Sequence, residues 1–384
     1  MMQISPETQL FIREHSSDDV RVLALQAKKY PDIDMPTAIT QIAGRKVAAE
    51  KIPSWWEIEK IWYPKHLSLE QCSSEITARY KARLLQGDSL TDLTGGFGID
   101  CSFLATGFKS ATYVERQEEL CEIAAHNFPV LNLNHINIKN EDGVTYLQVM
   151  SPVDSLFLDP ARRNEHGGKT VAISDCEPNV AELEELLLQK ANRVMIKLSP
   201  MLDLSLALKE LKQTQEVHIL SVNNECKELL ILLGQTSPAE ISIHCVNLFT
   251  KGTQKEQHFV FTREQEQCSE CTYTDSLETY LYEPNASLLK AGAFRSIAAA
   301  YPVRKLHPNS HLYTSDTFIE NFPGRIFRIV NQCSFNKKEV KENLADLKKA
   351  NVTVRNFPAT VAELRKRIHL AEGGDYLLIC QYIK

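Results

Sequence analysis

Over the first 75 residues the apolar positions recur at helical spacing. Val20, Leu23, Ala24 and Ala27 share one face, and after Pro36-Thr37 so do Ile39, Ile42, Ala43 and Val47. This i, i+3, i+4 rhythm is that of amphipathic helices. Pro53 is expected to end the second run. Trp55, Trp56 and Trp62 follow it and are all the tryptophans of the chain. Together these residues predict a small helical cap packed on the next domain. A stacking platform for bases is the other use of such a cluster. A further helix is predicted from Leu69 to Leu85, ahead of Gly87-Asp88.

From residue 89 the pattern becomes short apolar runs alternating with amphipathic helices. Strands are predicted at Leu90 to Leu93, Ala111 to Glu115, Ile136 to Ile138, Asp154 to Asp159 and Val194 to Leu198. Val217 to Val222 and Leu229 to Leu233 follow. Alternation of strand and helix implies a parallel sheet covered on both faces. The short connection Asn223 to Lys227 suits an antiparallel hairpin at one end. Residues 240–309 instead alternate as strands, at Ile241 to Val246 and His258 to Phe261, with a helix from Ala286 to Ala293. The last segment has a β-α-β-α-β rhythm: Arg325 to Val330, Lys337 to Lys349, Val352 to Asn356, Val361 to Leu370 and Tyr376 to Gln381.

The first predicted strand runs into Asp92-Leu93-Thr94-Gly95-Gly96-Phe97-Gly98-Ile99-Asp100. Glycines at such a strand end let backbone approach a ligand. A dinucleotide fingerprint fails, because counting from Gly96 places Cys101 where its third glycine belongs. Asp92 and Asp100 would also repel a pyrophosphate. S-adenosylmethionine has no phosphate and carries a sulfonium and an ammonium. Asp92 or Asp100 can attract that ammonium, while Thr94, Gly95, Gly96 and Gly98 form the turn around the donor. Glu115, ending the second strand, can accept both ribose hydroxyls. Asp142, in Asn140-Glu141-Asp142-Gly143, is placed to accept from the adenine amino group.

The fourth strand ends in Asp159-Pro160-Ala161-Arg162-Arg163. Asp159 can accept a hydrogen bond from a nucleophilic amine, Pro160 stiffens the turn, and Arg162 can contact a phosphate or a base edge. Lys197-Leu198-Ser199-Pro200 closes the fifth strand beside them. Asp159, Pro160, Arg162 and Lys197 are therefore the candidate catalytic residues. Acceptors that hold an amine N–H out of plane raise its reactivity by orientation, with no strong base. Methylation at pyrimidine C5 would need a cysteine nucleophile in these loops. Cys176 is the nearest in sequence, and nitrogen is the preferred acceptor.

These motifs resemble class I S-adenosylmethionine-dependent methyltransferases and, more narrowly, a bacterial family of them with a C-terminal THUMP-like domain. Further segments carry the narrower resemblance: Gln71-Cys72-Ser73-Ser74-Glu75-Ile76-Thr77-Ala78-Arg79-Tyr80-Lys81, Tyr282-Glu283-Pro284-Asn285-Ala286, Lys290-Ala291-Gly292-Ala293-Phe294 and Gly373-Gly374-Asp375-Tyr376. The resemblance implies a Rossmann-like seven-stranded α/β sheet with the donor held by Asp92, Gly95, Gly96, Gly98, Glu115 and Asp142. It implies an N-terminal helical region over 1–75 and a methyltransferase domain over 76–238. A small ferredoxin-like α+β region over 239–309 and a THUMP-like α+β domain over 310–384 would follow. THUMP domains bind RNA in tRNA-modifying enzymes, so tRNA or rRNA is the implied substrate. Methylation of a protein or small molecule, or RNA binding without catalysis, are the alternatives. Amino-methylating enzymes of nucleic acids commonly carry Asp/Asn-Pro-Pro-Tyr/Phe. Here Ala161 and Arg162 replace the second proline and the aromatic ring.

Charge adds one point. The net charge is -6, but residues 310–384 hold 12 Lys+Arg against 8 Asp+Glu, a net of +4, which leaves -10 on residues 1–309. The sum thus hides a basic C-terminal segment. Lys337, Lys338, Lys341, Lys348 and Arg365-Lys366-Arg367 are its candidate RNA contacts. The ten cysteines fit free thiols in a reducing cytoplasm. Cys268-Ser269-Glu270-Cys271 lacks a second ligand pair at zinc spacing, so no metal is expected. No run approaches the ~18 apolar residues of a membrane span. The first ten residues lack a secretory pattern, so a cytoplasmic protein is expected.

Overall fold

A computed structural model describes residues 4–162, 172–236 and 238–381. The chain divides into two compact units, 1–220 with 227–239, and 221–226 with 240–384.

The first unit opens with helices, among them Met35–Lys51, capped by Asp34, whose carboxylate accepts from the Thr37 amide. Pro53 starts a new short helix, Pro53–Trp56, because proline suits the first helical turn, where no N–H partner is required. Trp55 is buried and meets Phe97 edge-on at 5.2 Å. Trp62 lies flat on His126 at 3.7 Å. Two of the three indoles are therefore spent on packing, as the cap reading requires. The single helix predicted from Leu69 to Leu85 is two helices, His66–Gln71 and Glu75–Ala82. The break lies at Cys72 to Ser74, where extended backbone frees the Ser73 hydroxyl to bond away from its own chain.

The sheet of this unit comprises β1 (Ser89–Asp92), β2 (Ser110–Glu115), β3 (Ile136–Asn140), β4 (Val153–Leu158), β5 (Ala191–Leu198), β6 (Thr214–Val222) and β7 (Glu225–Gly234). Their spatial order is β6-β7-β5-β4-β1-β2-β3. β1 to β5 pair in parallel, and β7 runs antiparallel to β5. These seven strands take the expected Rossmann-like order, with a reversed hairpin beyond β5. The hairpin turn is tighter than predicted. Asn223 and Asn224 both take positive φ, 50° and 67°, as a two-residue hairpin turn demands and asparagine tolerates. β6 and β7 are correspondingly longer than their apolar cores. Because β1 lies between β2 and β4, the ends of β1, β2, β4 and β5 converge on one rim, where α/β folds bind ligands.

In the second unit Ser242–Leu248 and Glu256–Thr262 form an antiparallel pair. A four-stranded sheet follows, in the order Arg304–His307, Ser310–Ser315, Tyr280–Pro284, Gly324–Arg328. Asn351–Arg355 and Leu377–Gln381 pair in parallel across the helix Val361–Ile368. The β-α-β-α-β rhythm predicted for the C-terminus is thus divided. Its first strand joins the preceding sheet, with Arg325 directly opposite Glu283. The helix predicted to reach Lys349 stops at Asn343, whose side-chain amide donates back to the Glu339 carbonyl at 2.8 Å. Among the described residues no helix is long and apolar enough to cross a membrane.

Candidate active site

The turn after β1 is shaped by glycines that the geometry requires. Gly96 and Gly98 have φ of 54° and 86°, in the left-handed region that side chains disfavour. A Cβ on Gly95 would come within 2.2 Å of the Tyr113 ring. Tyr113 is fully buried and donates its hydroxyl to the Gly96 carbonyl at 2.5 Å, so its ring cannot yield. Gly95→Ala is therefore expected to cost about 1–3 kcal/mol by overpacking and to remove donor binding. Gly107→Ala, where the nearest atom is 3.8 Å away, is the tolerated control. Thermal melts and calorimetry with S-adenosylmethionine check both.

All the predicted site residues except Arg162 line one cavity of about 890 Å³. The Arg162 side chain and Arg163 lie outside the described residues. Asp92 is buried; its Oδ1 accepts from the Thr94 amide at 2.9 Å, while Oδ2 makes no hydrogen bond within the protein. Burial, then the neighbouring Asp100, Asp159 and Glu115, push its carboxyl up to about 8. The Thr94 hydroxyl accepts from the Asp159 amide at 2.6 Å, tying the glycine turn to the end of β4. Glu115 accepts from the Gly96 amide at 2.9 Å and the Gln117 amide at 2.8 Å, one on each oxygen. It therefore holds the turn, and the second lone pair of each oxygen is what remains for a ligand. Asp142 caps the helix Gly143–Val149, with Oδ1 accepting from the Val144 and Thr145 amides.

The end of the cavity at Asp159 carries charges that local sequence does not reveal. Lys197, on β5, donates to Asp159 Oδ2 at 2.5 Å and lies 3.4 Å from Asp100 Oδ2. Burial alone would lower the Lys197 ammonium, but Asp159, Asp100 and Glu228 more than offset it, and it is held a cation. Behind it sits Lys81, fully buried, 2.8 Å from Asp100 Oδ1 and 2.7 Å from Glu228 Oε2. Ser73 joins the two: its hydroxyl accepts from Lys81 at 2.8 Å and donates to Asp100 at 2.7 Å. Sequence reasoning missed Ser73, Lys81 and Glu228. The available signal was a lysine on the inward face of a helix within the family segment Gln71–Lys81.

The arrangement fits S-adenosylmethionine. Two ammonium groups, Lys81 and Lys197, oppose the carboxylates of Asp100, Asp159 and Glu228, and the unpartnered Asp92 oxygen lies beside them. The cluster lacks one positive charge, which a ligand of net charge +1 supplies. Two cysteines also line the cavity, Cys72 and Cys176. Cys72 donates to the Leu69 carbonyl at 3.0 Å, and burial pushes its thiol up to about 11, far from the thiolate a nucleophile needs.

Comparison with protein families matches residues 280–323 to a ferredoxin-like domain and residues 324–383 to a THUMP domain-like family. No relative was found among the curated proteins. Among solved structures, that of a methyltransferase candidate from Porphyromonas gingivalis W83 is 34% identical. It covers 100% of this chain and 96% of that one, with a TM-score of 0.87. An rRNA methylase from Streptococcus thermophilus is 15% identical over 41% of this chain and 93% of its own, with a TM-score of 0.31. TrmK of M. capricolum, in complex with S-adenosyl-homocysteine, is 12% identical over 42% of this chain and 68% of its own, with a TM-score of 0.33. Likeness of that extent says nothing of substrate. The full-length match, with the glycine turn and its acids, settles the assignment: this chain belongs to the family of the Porphyromonas gingivalis protein, S-adenosylmethionine-dependent methyltransferases whose C-terminal region is ferredoxin-like and THUMP-like.

Proposed function

We propose that the chain methylates a nitrogen of a base in tRNA or rRNA. Bound S-adenosylmethionine supplies an electrophilic methyl group on a cationic sulfur. Asp92 and Asp100 attract the donor's ammonium, Glu115 takes its ribose hydroxyls, and Asp142 its adenine amino group. Asp159 accepts from an acceptor N–H through the oxygen that Lys197 does not hold, and so orients the nitrogen lone pair. Pro160 fixes the direction of that carboxylate, and Arg162 follows it at the rim.

The observation that carries the nitrogen reading is the Asp159–Lys197 pair at the cavity wall, together with a neutral, hydrogen-bonded Cys72. RNA is supported by the THUMP-like match over 324–383 and by the charge around it. Lys337, Lys338, Lys341, Lys348 and Lys366 are exposed. Arg367 is exposed and covers the Phe335 ring, whereas Arg365 is turned to Glu372 at 3.2 Å. Purified protein is expected to label total RNA from cells lacking its gene, and nucleoside mass spectrometry identifies the product. Label appearing only in protein overturns the RNA reading. Lys366→Glu with Arg367→Glu is expected to weaken RNA binding and to reduce the slope of log affinity against log salt by about two. Donor affinity stays unchanged.

A further inference from the structure

Lys81 donates hydrogen bonds to Glu228 and Ser73 and forms an ion pair with Asp100 at 2.8 Å, with no exposure to solvent. A buried ammonium is costly unless fully paired. A lysine that served packing alone would be better replaced by an apolar side chain. The partners of Lys81 are instead wall residues of the donor cavity: Ser73 and Asp100 both face it. The hydrogen-bonded chain continues from Asp100 through Lys197 to Asp159, at the methyl-transfer end.

We propose that Lys81, held by Ser73 and Glu228, is a positioning residue for the methyl donor, keeping Asp100 ionised and its carboxylate fixed against the cavity. The inference rests on the reading of this cavity as the S-adenosylmethionine site. The other acidic and thiol groups around Asp100 bring it no positive charge: Asp92 faces it from β1 and Asp159 from the end of β4, and the thiols of Cys72, before the helix Glu75–Ala82, and of Cys101, on its own helix, are held neutral by burial. Lys197 on β5 is the other cation and lies farther from it, 3.4 Å against 2.8 Å. Glu228 on β7 shares Lys81 with it. Burial raises the Asp100 carboxyl, and Lys81 first, then Lys197, bring it down to about 2.

The test is the carbon-13 titration of the Asp100 carboxyl in the whole ligand-free chain, with S-adenosylmethionine calorimetry alongside. In wild type Asp100 is expected to stay ionised through the range in which the protein is folded. In Lys81→Met its midpoint is expected to rise by about one to three pH units. Counted from about 2, this places the variant's midpoint at about 3 to 5, so its donor affinity relative to wild type should be about tenfold lower one pH unit below the new midpoint than at about pH 7. Glu228→Gln, which leaves Lys81 to Asp100, should not raise the midpoint. An unmoved Asp100 titration in Lys81→Met, or an affinity lowered equally at every pH, overturns the proposal. If Lys81→Met does not fold, Lys81→Met with Glu228→Gln removes the cation together with its other buried counter-ion and carries the same measurement. Wild type that fails to bind S-adenosylmethionine would end the donor reading, while the titration still decides whether Lys81 controls Asp100.

Discussion

Asp159→Ala should lower the rate of methyl transfer by about 10²- to 10⁴-fold, the range that a positioned acceptor contributes, while donor affinity is retained. The separation follows from position. Asp159 stands at the end of β4 with Oδ2 on Lys197, whereas the groups assigned to the donor's ammonium, Asp92 and Asp100, end β1 and open the next helix. Removing the carboxylate leaves Lys197 its contact with Asp100 at 3.4 Å, so the buried lysine keeps a counter-ion and the fold is expected to survive. Asp159→Asn retains an acceptor oxygen without the charge and should recover part of the rate. Single-turnover transfer of labelled methyl, with calorimetry for the donor, reads the two quantities separately. A full-rate alanine variant would remove Asp159 from the reaction.

Glu283→Ala should destabilise the second unit by about 3 kcal/mol, the cost of breaking a buried ion pair from one side. Glu283 is 3% exposed. Arg325 Nε donates to Oε2 at 2.9 Å and Arg355 Nε to Oε1 at 2.8 Å. One carboxylate of the ferredoxin-like segment thus grips two guanidinium groups of the THUMP-like segment. Both arginines are partly exposed, which keeps the cost near the lower end of the range for buried pairs. The expected signature is a fall of about 5–10 °C in one thermal transition, with donor affinity unaltered. An unchanged melt would show that the clamp contributes nothing.

These cases show what the linear sequence carries. Strand and helix periods are local, and so is the glycine turn. The sheet, the acids at successive strand ends and their meeting in one cavity were therefore legible from residues 89–200. Glu283 stood out only as part of the family segment Tyr282–Ala286, because its partners lie 42 and 72 residues further on. Lys81 and Glu228 are 147 residues apart, and nothing local distinguishes a lysine that is buried and ion-paired from one on a solvated face. Local pattern also overextended two helices, at Ser73 and at Asn343. In both, a polar side chain interrupts a helix whose apolar rhythm continues.

The distance between Lys81 and Glu228 also sets an order of assembly on the ribosome. At 5–20 residues per second, roughly seven to thirty seconds separate the emergence of the lysine from that of its second carboxylate. During that interval the helix carrying Lys81, the glycine turn and the strands up to β5 can already be gathering. The last hairpin must still dock before the ammonium loses its contact with water. The donor pocket is therefore finished from the far end of the sheet, and a nascent chain stalled before residue 228 would carry every acid of the glycine turn without a closed site.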